Sequence, residues 1–374
     1  MSKRRILIKR ILYTLFILLA VVAVGTYLFL QQPSFGKLPE GARLARIQQS
    51  ENFKNGIFQN QTITPNLATD KSKFVLFTEF FFQKIKDLRP TKDVPAIKTD
   101  LKALNRKDNL VVWLGHSSLY MQLDGKRFLV DPVLLTASPI SFVNKAFRGA
   151  DAYHPQDIPD IDYLLITHDH WDHLDYETMV VLKDRVGKVV CPLGVASHLE
   201  YWGFDPARIV EHDWFDSVVL DEHLKINTLP ARHFSGRGLQ PNKTLWASYL
   251  LESASAGKVY ISGDTGYEAH FKAIGERFGE IDFAIMENGQ YNADWRYIHM
   301  MPEDLVQAVK DLKPKRFFTV HNSKYALGKH AWYEPLENIY SSAQRDSLPL
   351  VTPMIGEPLY LETAAAAPKK WWVE

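Results

Sequence analysis

Residues 167 to 175 read Thr-His-Asp-His-Trp-Asp-His-Leu-Asp, and this stretch decides the fold more than any other part of the chain. It carries three histidines and an aspartate within six positions: His168, His170, Asp172 and His173. The apolar run before it, residues 161–167, predicts a buried β-strand. Imidazole and carboxylate groups are preferred ligands of divalent metals. A loop that is histidine-rich by chance is disfavoured, because only 13 histidines occur in 374 residues. The stretch therefore predicts a metal site on a loop where a strand ends.

Three later runs repeat this arrangement of an apolar segment followed by a ligand-type residue. His233 follows the run 224–229, Asp264 lies in a glycine-flanked turn after the β-rich run that begins at residue 259, and His321 ends the run that begins at residue 316. Strand-end loops of this kind converge on one active site, so we expect these residues to lie beside the first stretch.

Composition restricts the class of protein. The length suggests one large or two medium domains, and a hydrophobic content of 46% is normal for a globular chain with a sizeable core. A net charge of +1 gives no indication of nucleic-acid binding. Cys191 is the one cysteine, so an intrachain disulfide is impossible, and we expect a buried structural thiol.

The N-terminus predicts a membrane anchor. Five basic residues precede an uncharged segment of twenty residues, Ile11 to Leu30: Lys3, Arg4, Arg5, Lys9 and Arg10. As a helix this segment spans about 30 Å, the thickness of one hydrocarbon core. The basic flank should stay in the cytoplasm, which places the catalytic domain on the periplasmic or extracellular side. A cleaved signal peptide is the alternative, but the apolar run continues beyond the weak site at residues 23–25.

The remaining chain divides into two predicted parts. Residues 31–108 form a linker and an N-terminal extension packed on the core, and 109–374 form the catalytic domain. The aromatic run Phe74 to Leu88 predicts a helix packed against the core, with a membrane-dipping element as the alternative. Later runs predict strands and helices in alternation, and Asp124-Gly125 marks a hairpin turn. The predicted strands are 110–114, 119–123 and 127–131, and the predicted helices are 176–184, 269–278 and 302–312.

The motif at residues 168–173, followed in order by His233, Asp264 and His321, resembles that of the metallo-β-lactamase-fold hydrolases. The resemblance covers about residues 40 to 362. Within these hydrolases the chain most resembles the N-acyl-phosphatidylethanolamine-hydrolysing phospholipase D type and its bacterial relatives. The further segments that carry the closer resemblance are Trp113–Ser118, Asp131–Val133, Ala137–Pro139, Gly263–Tyr267 and His299–Asp304. The resemblance implies an α/β fold, the αββα sandwich, in which two sheets are covered by helices.

The resemblance also implies two Zn²⁺ ions per chain. It assigns His168, His170 and His233 to one ion. It assigns Asp172, His173 and His321 to the second ion, with Asp264 bridging both. Hydroxide held by the two ions would be the nucleophile, and Asp172 and Asp264 are expected to take part in catalysis.

We also predict roles for four residues outside the seven ligands. His299 should line the substrate cleft and assist catalysis, and Trp171 should contact substrate. Asp131 and His116 should contact the metal ligands on the side away from the metal and hold them in position. Ile298 and Trp171 depart from the phospholipase-like pattern, in which polar and tyrosine residues are expected, and this weakens only the substrate assignment.

The leading functional hypothesis is a membrane-anchored zinc hydrolase of a phosphodiester, either a phospholipid or an N-acylated phospholipid. A lactonase of the same fold is the alternative among enzymes, and a catalytically inactive binding protein is the alternative from another class. Membrane lipid and a lipid or small-molecule substrate are the expected partners, nucleic acid is not, and a homodimer is left open.

Overall fold

A computed structural model describes residues 3–363 and 367–373 of the chain. Helices are found along the whole described length, and we label them in chain order: α1 (Lys3–Leu30), α2 (Gly41–Ile47), α3 (Lys73–Phe82), α4 (Tyr176–Leu182), α5 (Ala196–Tyr201), α6 (His270–Phe278), α7 (Pro302–Leu312) and α8 (Glu334–Asp346).

The strands are labelled in the same way: β1 (Phe53–Lys54), β2 (Ile57–Phe58), β3 (Leu110–Trp113), β4 (Leu119–Leu123), β5 (Lys126–Val130), β6 (Ile161–Leu165), β7 (Val186–Pro192), β8 (Ile209–His212), β9 (Ser217–Val219), β10 (Leu224–Leu229), β11 (Ser248–Ser253), β12 (Gly257–Ile261), β13 (Phe283–Glu287), β14 (Phe317–Val320) and β15 (Pro358–Tyr360). They form a small hairpin, β1-β2, and two large mixed sheets. The first sheet has the order β15-β3-β4-β5-β6-β7-β8, and the second has the order β14-β13-β12-β11-β10-β9.

The two large sheets face each other across one apolar layer. Met121 and Phe128 of the first sheet and Tyr249 and Phe283 of the second belong to the same buried cluster. A second cluster lies between the first sheet and helices α4 and α5, and a third lies between the second sheet and helices α6 to α8. The predicted αββα sandwich is therefore confirmed. Strands β3, β4, β13 and β14 are buried on both faces, which explains why their sequences are mostly apolar.

The strand directions bring the predicted site residues to one edge. Strands β5 and β6 are parallel, as are β12, β13 and β14. Strand β10 is antiparallel to β11, which is antiparallel to β12, so β10 and β12 run the same way. The loops that follow β10, β12 and β14 consequently leave the second sheet at the same edge. The loop that follows β6 of the first sheet lies beside them, because His170 contacts His233.

Most predicted elements are present with small boundary shifts. Helix α7 begins at Pro302 and ends at Leu312, as predicted, with Glu303 and Asp304 in its first turn. Helix α4 ends at Leu182, two residues before the predicted end. The hairpin turn between β4 and β5 has φ values of 48° at Asp124 and 75° at Gly125. Positive φ at both central residues fits the turn that matches the twist of a hairpin.

The prediction for the aromatic run Phe74 to Leu88 needs a correction. The helix α3 forms but ends at Phe82, since Gln83 leaves the helical conformation with a ψ of 120°. The Phe74 and Phe82 side chains are exposed to solvent. Aromatic residues that surround a helix cannot all face one neighbouring surface, so contact on one side leaves several of them in solvent.

Other parts of the segment 31–108 do contact the core. Ile47 and Phe58 are fully buried in a cluster with Trp214 and Trp246 from the catalytic part. Helix α1 contains a segment, Arg4–Leu30, that by length and composition could cross a membrane: its most apolar 18 residues have a mean hydropathy of 2.4, and none of them is buried.

Candidate metal centre

Three histidines from the loops after β6 and β10 meet at one point. His168 Nε2 lies 2.9 Å from His170 Nδ1, and His233 Nε2 lies 3.1 Å from the same His170 atom. His168 and His233 are buried and His170 is partly buried. Alternate residues of the extended segment 168–170 thus converge with a residue 63 positions further along the chain.

A second group combines carboxylates with imidazoles. The Asp172 Oδ2 atom lies 3.3 Å from His321 Nε2, 3.8 Å from His173 Nε2 and 2.9 Å from His116 Nε2. His116 follows β3, and its ring is tilted against that of His321 with 4.4 Å between the centroids. His116 therefore lies beside the predicted ligands, contacts two of them and belongs to the same group of residues that could hold a metal ion.

Asp264 lies between the two groups. Its Oδ2 atom is 3.1 Å from His321 Nε2, 3.8 Å from His233 Nε2 and 4.0 Å from His168 Nε2. Its Oδ1 atom is 3.1 Å from His173 Nε2. The carboxylate therefore reaches both groups at once, which is the position a bridging ligand requires.

The outward ring nitrogens of the histidines have their own partners. His173 Nδ1 lies 2.8 Å from Asp131 Oδ2, and the same carboxylate accepts from the backbone and hydroxyl of Thr167. His233 Nδ1 donates to the Ile298 carbonyl at 2.8 Å. Partners of this kind fix the tautomer and direct the other nitrogen into the site. Asp131 is placed as the sequence predicted.

Burial and neighbouring charges set the protonation of the cluster. Burial lowers the pKa of His168 and of His233 well below the usual value, and the adjacent histidines add to this. These imidazoles are therefore neutral, the form that binds a metal. Burial disfavours charge on Asp264 as well, but His173, His321 and His233 together outweigh it and hold the pKa of that carboxyl well below its usual range.

The residues present fit the binding of a transition metal. Four nitrogen and oxygen ligands in a tetrahedron about 2.1 Å from one ion lie about 3.4 Å from each other, close to the separations found here. His173 Nε2 and Asp264 Oδ1 are buried and have no hydrogen-bond partner among the described residues. Buried polar atoms without a partner are rare and call for an explanation, and an ion between them supplies one.

Arg237 ties the metal-binding loop to the segment that follows helix α1. Its Nη1 donates to the carbonyls of Asp169 and Leu174, and its Nε and Nη2 both donate to the Ser34 carbonyl. The guanidinium lies 4.0 Å from the Trp171 ring centroid. The start of the linker is thus part of the support beneath residues 168–174.

Trp171 does not take the substrate-contacting position that was expected of it. Its ring packs edge-on against Phe35 at 5.0 Å and against Arg237. The cleft above the metal-binding residues is bounded by other described side chains. The Trp171 ring packs against Arg237 and the linker residue Phe35, so it helps to hold the loop in place.

A cleft of about 430 Å³ opens directly above the two groups. His170, Asp172, Asp264 and His321 form its floor, and His299 lies in its wall as predicted. The rest of the lining is mostly apolar: Leu67, Phe234, Trp295, Ile298 and Leu327, with Asn66 and Gln290.

Sequence reasoning missed three supporting residues. Glu287 is buried at the end of β13 and contacts both His299 and His321. Asn60 exchanges two hydrogen bonds with the backbone of His233. Glu287 could have been predicted from the sequence, because it also ends an apolar strand at the same edge. No local sequence pattern marks Asn60 or Arg237 as a supporting residue.

The comparisons with known proteins agree with this geometry. A model described as a β-lactamase superfamily domain matches residues 126–322. A protein of Mycobacterium tuberculosis without an assigned function is 34% identical over 320 residues, covering 83% of this chain and 84% of its own. The chain therefore belongs to the metallo-β-lactamase superfamily and has the fold of its metal-dependent hydrolases.

Particular relatives extend this result. The N-acyl-phosphatidylethanolamine-hydrolysing phospholipase D 1 of Caenorhabditis elegans is 30% identical over 245 residues, covering 61% of this chain and 67% of that protein. The outer membrane protein RomA of Klebsiella pneumoniae is 55% identical over 104 residues, which are 28% of this chain and 78% of RomA. Among solved structures, the metallo hydrolase Igni18 of Ignicoccus hospitalis matches with a TM-score of 0.52 at 20% identity, over 68% of this chain and 99% of its own.

Proposed function

We propose that the chain is a membrane-anchored, dinuclear-zinc phosphodiesterase that acts on a phospholipid or an N-acylated phospholipid. The observation that carries the proposal is the cleft, in which metal-binding residues form the floor and apolar side chains form the wall. Similarity to the Caenorhabditis elegans phospholipase D supports the choice of substrate class.

In this proposal His168, His170 and His233 hold one ion. Asp172, His173 and His321 hold the other, and Asp264 binds both. When bound, two such ions supply a nucleophile from water at neutral pH and neutralise charge on the phosphoryl oxygens.

The chain's own residues bind and orient the substrate. Asp172 Oδ2 faces the cleft floor and accepts hydrogen bonds, so it can orient an attacking water. Phe234, Leu67 and Leu327 offer apolar contact to the hydrocarbon next to a phosphodiester and exclude bulk water from it. Lipid substrates need both features side by side.

The linker contact supports an anchor close to the active site. Helix α1 ends at Leu30, and Ser34 already contacts Arg237 beneath the metal-binding loop. A membrane crossed by α1 would therefore lie within a few residues of the cleft. The similarity to an outer membrane protein agrees with an envelope location.

The topology proposal predicts a cytoplasmic N-terminus and an external catalytic domain. A reporter that works only outside the cytoplasm, fused after Glu374, is expected to be active, because the basic flank stays inside. The fusion should fractionate with membranes. An active cytoplasm-only reporter at the same position, or recovery of most chains in the soluble fraction, would contradict this topology.

The substrate proposal predicts that phosphodiesters turn over faster than lactones. Purified, zinc-loaded protein is tested against matched panels of phosphodiesters, including phospholipids in mixed micelles, and of lactones. We expect kcat/KM for the best phosphodiester to exceed that for any lactone by at least about tenfold, since two cations favour the doubly charged phosphoryl transition state. A lactone hydrolysed orders of magnitude faster than every phosphodiester would make this chain a lactonase with the same metal site.

A further inference from the structure

An uncharged segment of the catalytic part, residues 135–143, leaves large apolar side chains in solvent. It follows strand β5 and reads Leu-Thr-Ala-Ser-Pro-Ile-Ser-Phe-Val. The Phe142 side chain is 72% exposed, and those of Leu135, Ile140 and Val143 are exposed as well. Single apolar residues on a surface are common, whereas several in one short segment mark a contact with an apolar partner.

The base of this segment is fixed to the fold, so its outward side chains belong to a defined surface. The backbone amides of Leu135 and Thr136 donate to Asp175 Oδ2 at 3.0 and 3.1 Å. Ala137 is buried in a small cluster against which Leu327 packs, and Leu327 also lines the cleft above the metal-binding residues. The exposed segment therefore lies beside the cleft.

The same segment lies next to the end of the predicted anchor. A groove of about 380 Å³ is lined by linker residues 32–34 and by Thr136, Ser138 and Ser141 of this segment. Helix α1 ends at Leu30, two positions before the first of these linker residues. A bilayer crossed by α1 would therefore have its surface close to residues 135–143.

Exposed lysines border the apolar side chains. Lys145 follows the segment by two positions, and no acidic residue occurs from residue 135 to residue 148. Arg89 Nη1 donates to the Lys145 carbonyl at 3.3 Å, which places the chain after α3, with its exposed Lys84 and Lys86, on the same side. Lysine is depleted where two proteins meet, whereas lysine beside aromatic and aliphatic side chains suits an anionic membrane surface.

We propose that residues 135–143 insert into the surface of the membrane that α1 crosses. The Phe142 side chain lies among the lipid acyl chains in this account, and Lys84, Lys86 and Lys145 contact anionic headgroups. The inference rests on the proposed membrane anchor and does not depend on the reaction catalysed. It gives the catalytic domain a second membrane contact besides α1, which holds the cleft close to the bilayer surface.

A fluorescent dye on a single introduced cysteine tests this contact in the full-length protein. The native Cys191 is buried, so a surface cysteine is labelled selectively. Labelled Phe142→Cys protein is reconstituted into vesicles of phosphatidylcholine and phosphatidylglycerol, with or without nitroxide groups on the acyl chains. We expect the nitroxide lipid to lower the dye emission at least about twofold, because an inserted side chain lies at the boundary of headgroups and acyl chains.

Two further labelled variants separate insertion from anchoring. Leu19→Cys lies in the middle of α1, and its dye should be quenched by the same lipid because α1 crosses the bilayer. Val219→Cys is the exposed control, since the Val219 side chain is 67% exposed and pairs with Lys225 near the start of β10, at the opposite end of that strand from His233. The dye at position 219 should keep its emission.

The lysines are tested in the same assay. Replacing Lys84, Lys86 and Lys145 by glutamate in the Phe142→Cys protein should reduce the quenching nearly to that at position 219, because the anionic headgroups then repel this surface. Unchanged quenching in that variant would overturn the contact between the lysines and the headgroups.

The outcomes distinguish this surface from the anchor and from catalysis. An unquenched dye at position 142 beside a quenched dye at position 19 would overturn the inserted segment and leave the anchor intact. A blue-shifted dye at position 142 that nitroxide lipid does not quench would show that a second copy of the chain covers the segment, which also overturns the proposal. Unquenched dyes at both positions would overturn the anchor as well. The measurement involves no hydrolysis, so the proposed phosphodiesterase activity stands or fails separately.

Discussion

Replacing Asp264 by alanine is expected to lower kcat/KM by at least about 10³-fold and to remove both zinc ions from the purified protein. The physical reason is the position of the carboxylate, whose two oxygens reach His173, His321, His168 and His233 within 3.1–4.0 Å. A ligand of one ion serves that ion alone, whereas Asp264 serves both groups. Its loss also leaves the buried histidines without the negative charge that offsets two cations.

The measurement combines elemental analysis with steady-state kinetics. Asp264→Asn keeps the shape of the side chain but not its charge, and it should lose nearly as much zinc and activity as Asp264→Ala. Asp160→Ala is the control, because the Asp160 side chain is 87% exposed and lies on the surface. An Asp264→Ala protein with full zinc content and near-normal turnover would contradict the bridging role.

Arg237→Leu is expected to lower the free energy of unfolding by about 3 kcal/mol, or the Tm by about 4 °C. Leucine leaves the carbonyls of Ser34, Asp169 and Leu174 without their donor in a buried setting. Because two of these carbonyls belong to the metal-binding loop, zinc should also be lost to a chelator at lower concentration than in the unmodified protein.

Arg237→Lys tests the geometry of this support. Lysine keeps the charge but cannot direct several N–H groups to both segments at once, so most of the loss should remain. Arg208→Leu is the control, because the Arg208 side chain is 51% exposed. An Arg237→Leu protein with unchanged Tm and chelator sensitivity would show that the linker does not support the loop.

The fold and the set of ligand-type residues could be predicted from the sequence, because both produce patterns among residues that are neighbours in the chain. Strands β6, β10 and β14 are apolar runs of fitting length, and each is followed by a histidine at a fixed edge of the sandwich. The common direction of β10 and β14 brings His233 and His321 to one edge of the second sheet, and the packing of the two sheets brings the loop after β6 beside them. The predicted hairpin at Asp124-Gly125 was right for the same reason, since its turn chemistry is local.

Residues whose roles depend on distant partners could not be predicted in this way. Trp171 looked like a substrate contact because it lies within the metal-binding motif, but a contact with Arg237 and Phe35 turns it away. The exposed face of α3 was missed because composition gives the apolar content of a helix and not the neighbours that cover it.

Metal content is the most direct test of whether the seven ligand-type residues hold two zinc ions. Full-length protein, purified without chelators or affinity metals, is analysed by inductively coupled plasma mass spectrometry. We expect about two zinc ions per chain. A chelator should remove the zinc together with the activity, and added zinc should restore both. Protein that holds no transition metal, and whose hydrolytic activity is neither lost with chelator nor gained with zinc, would contradict it.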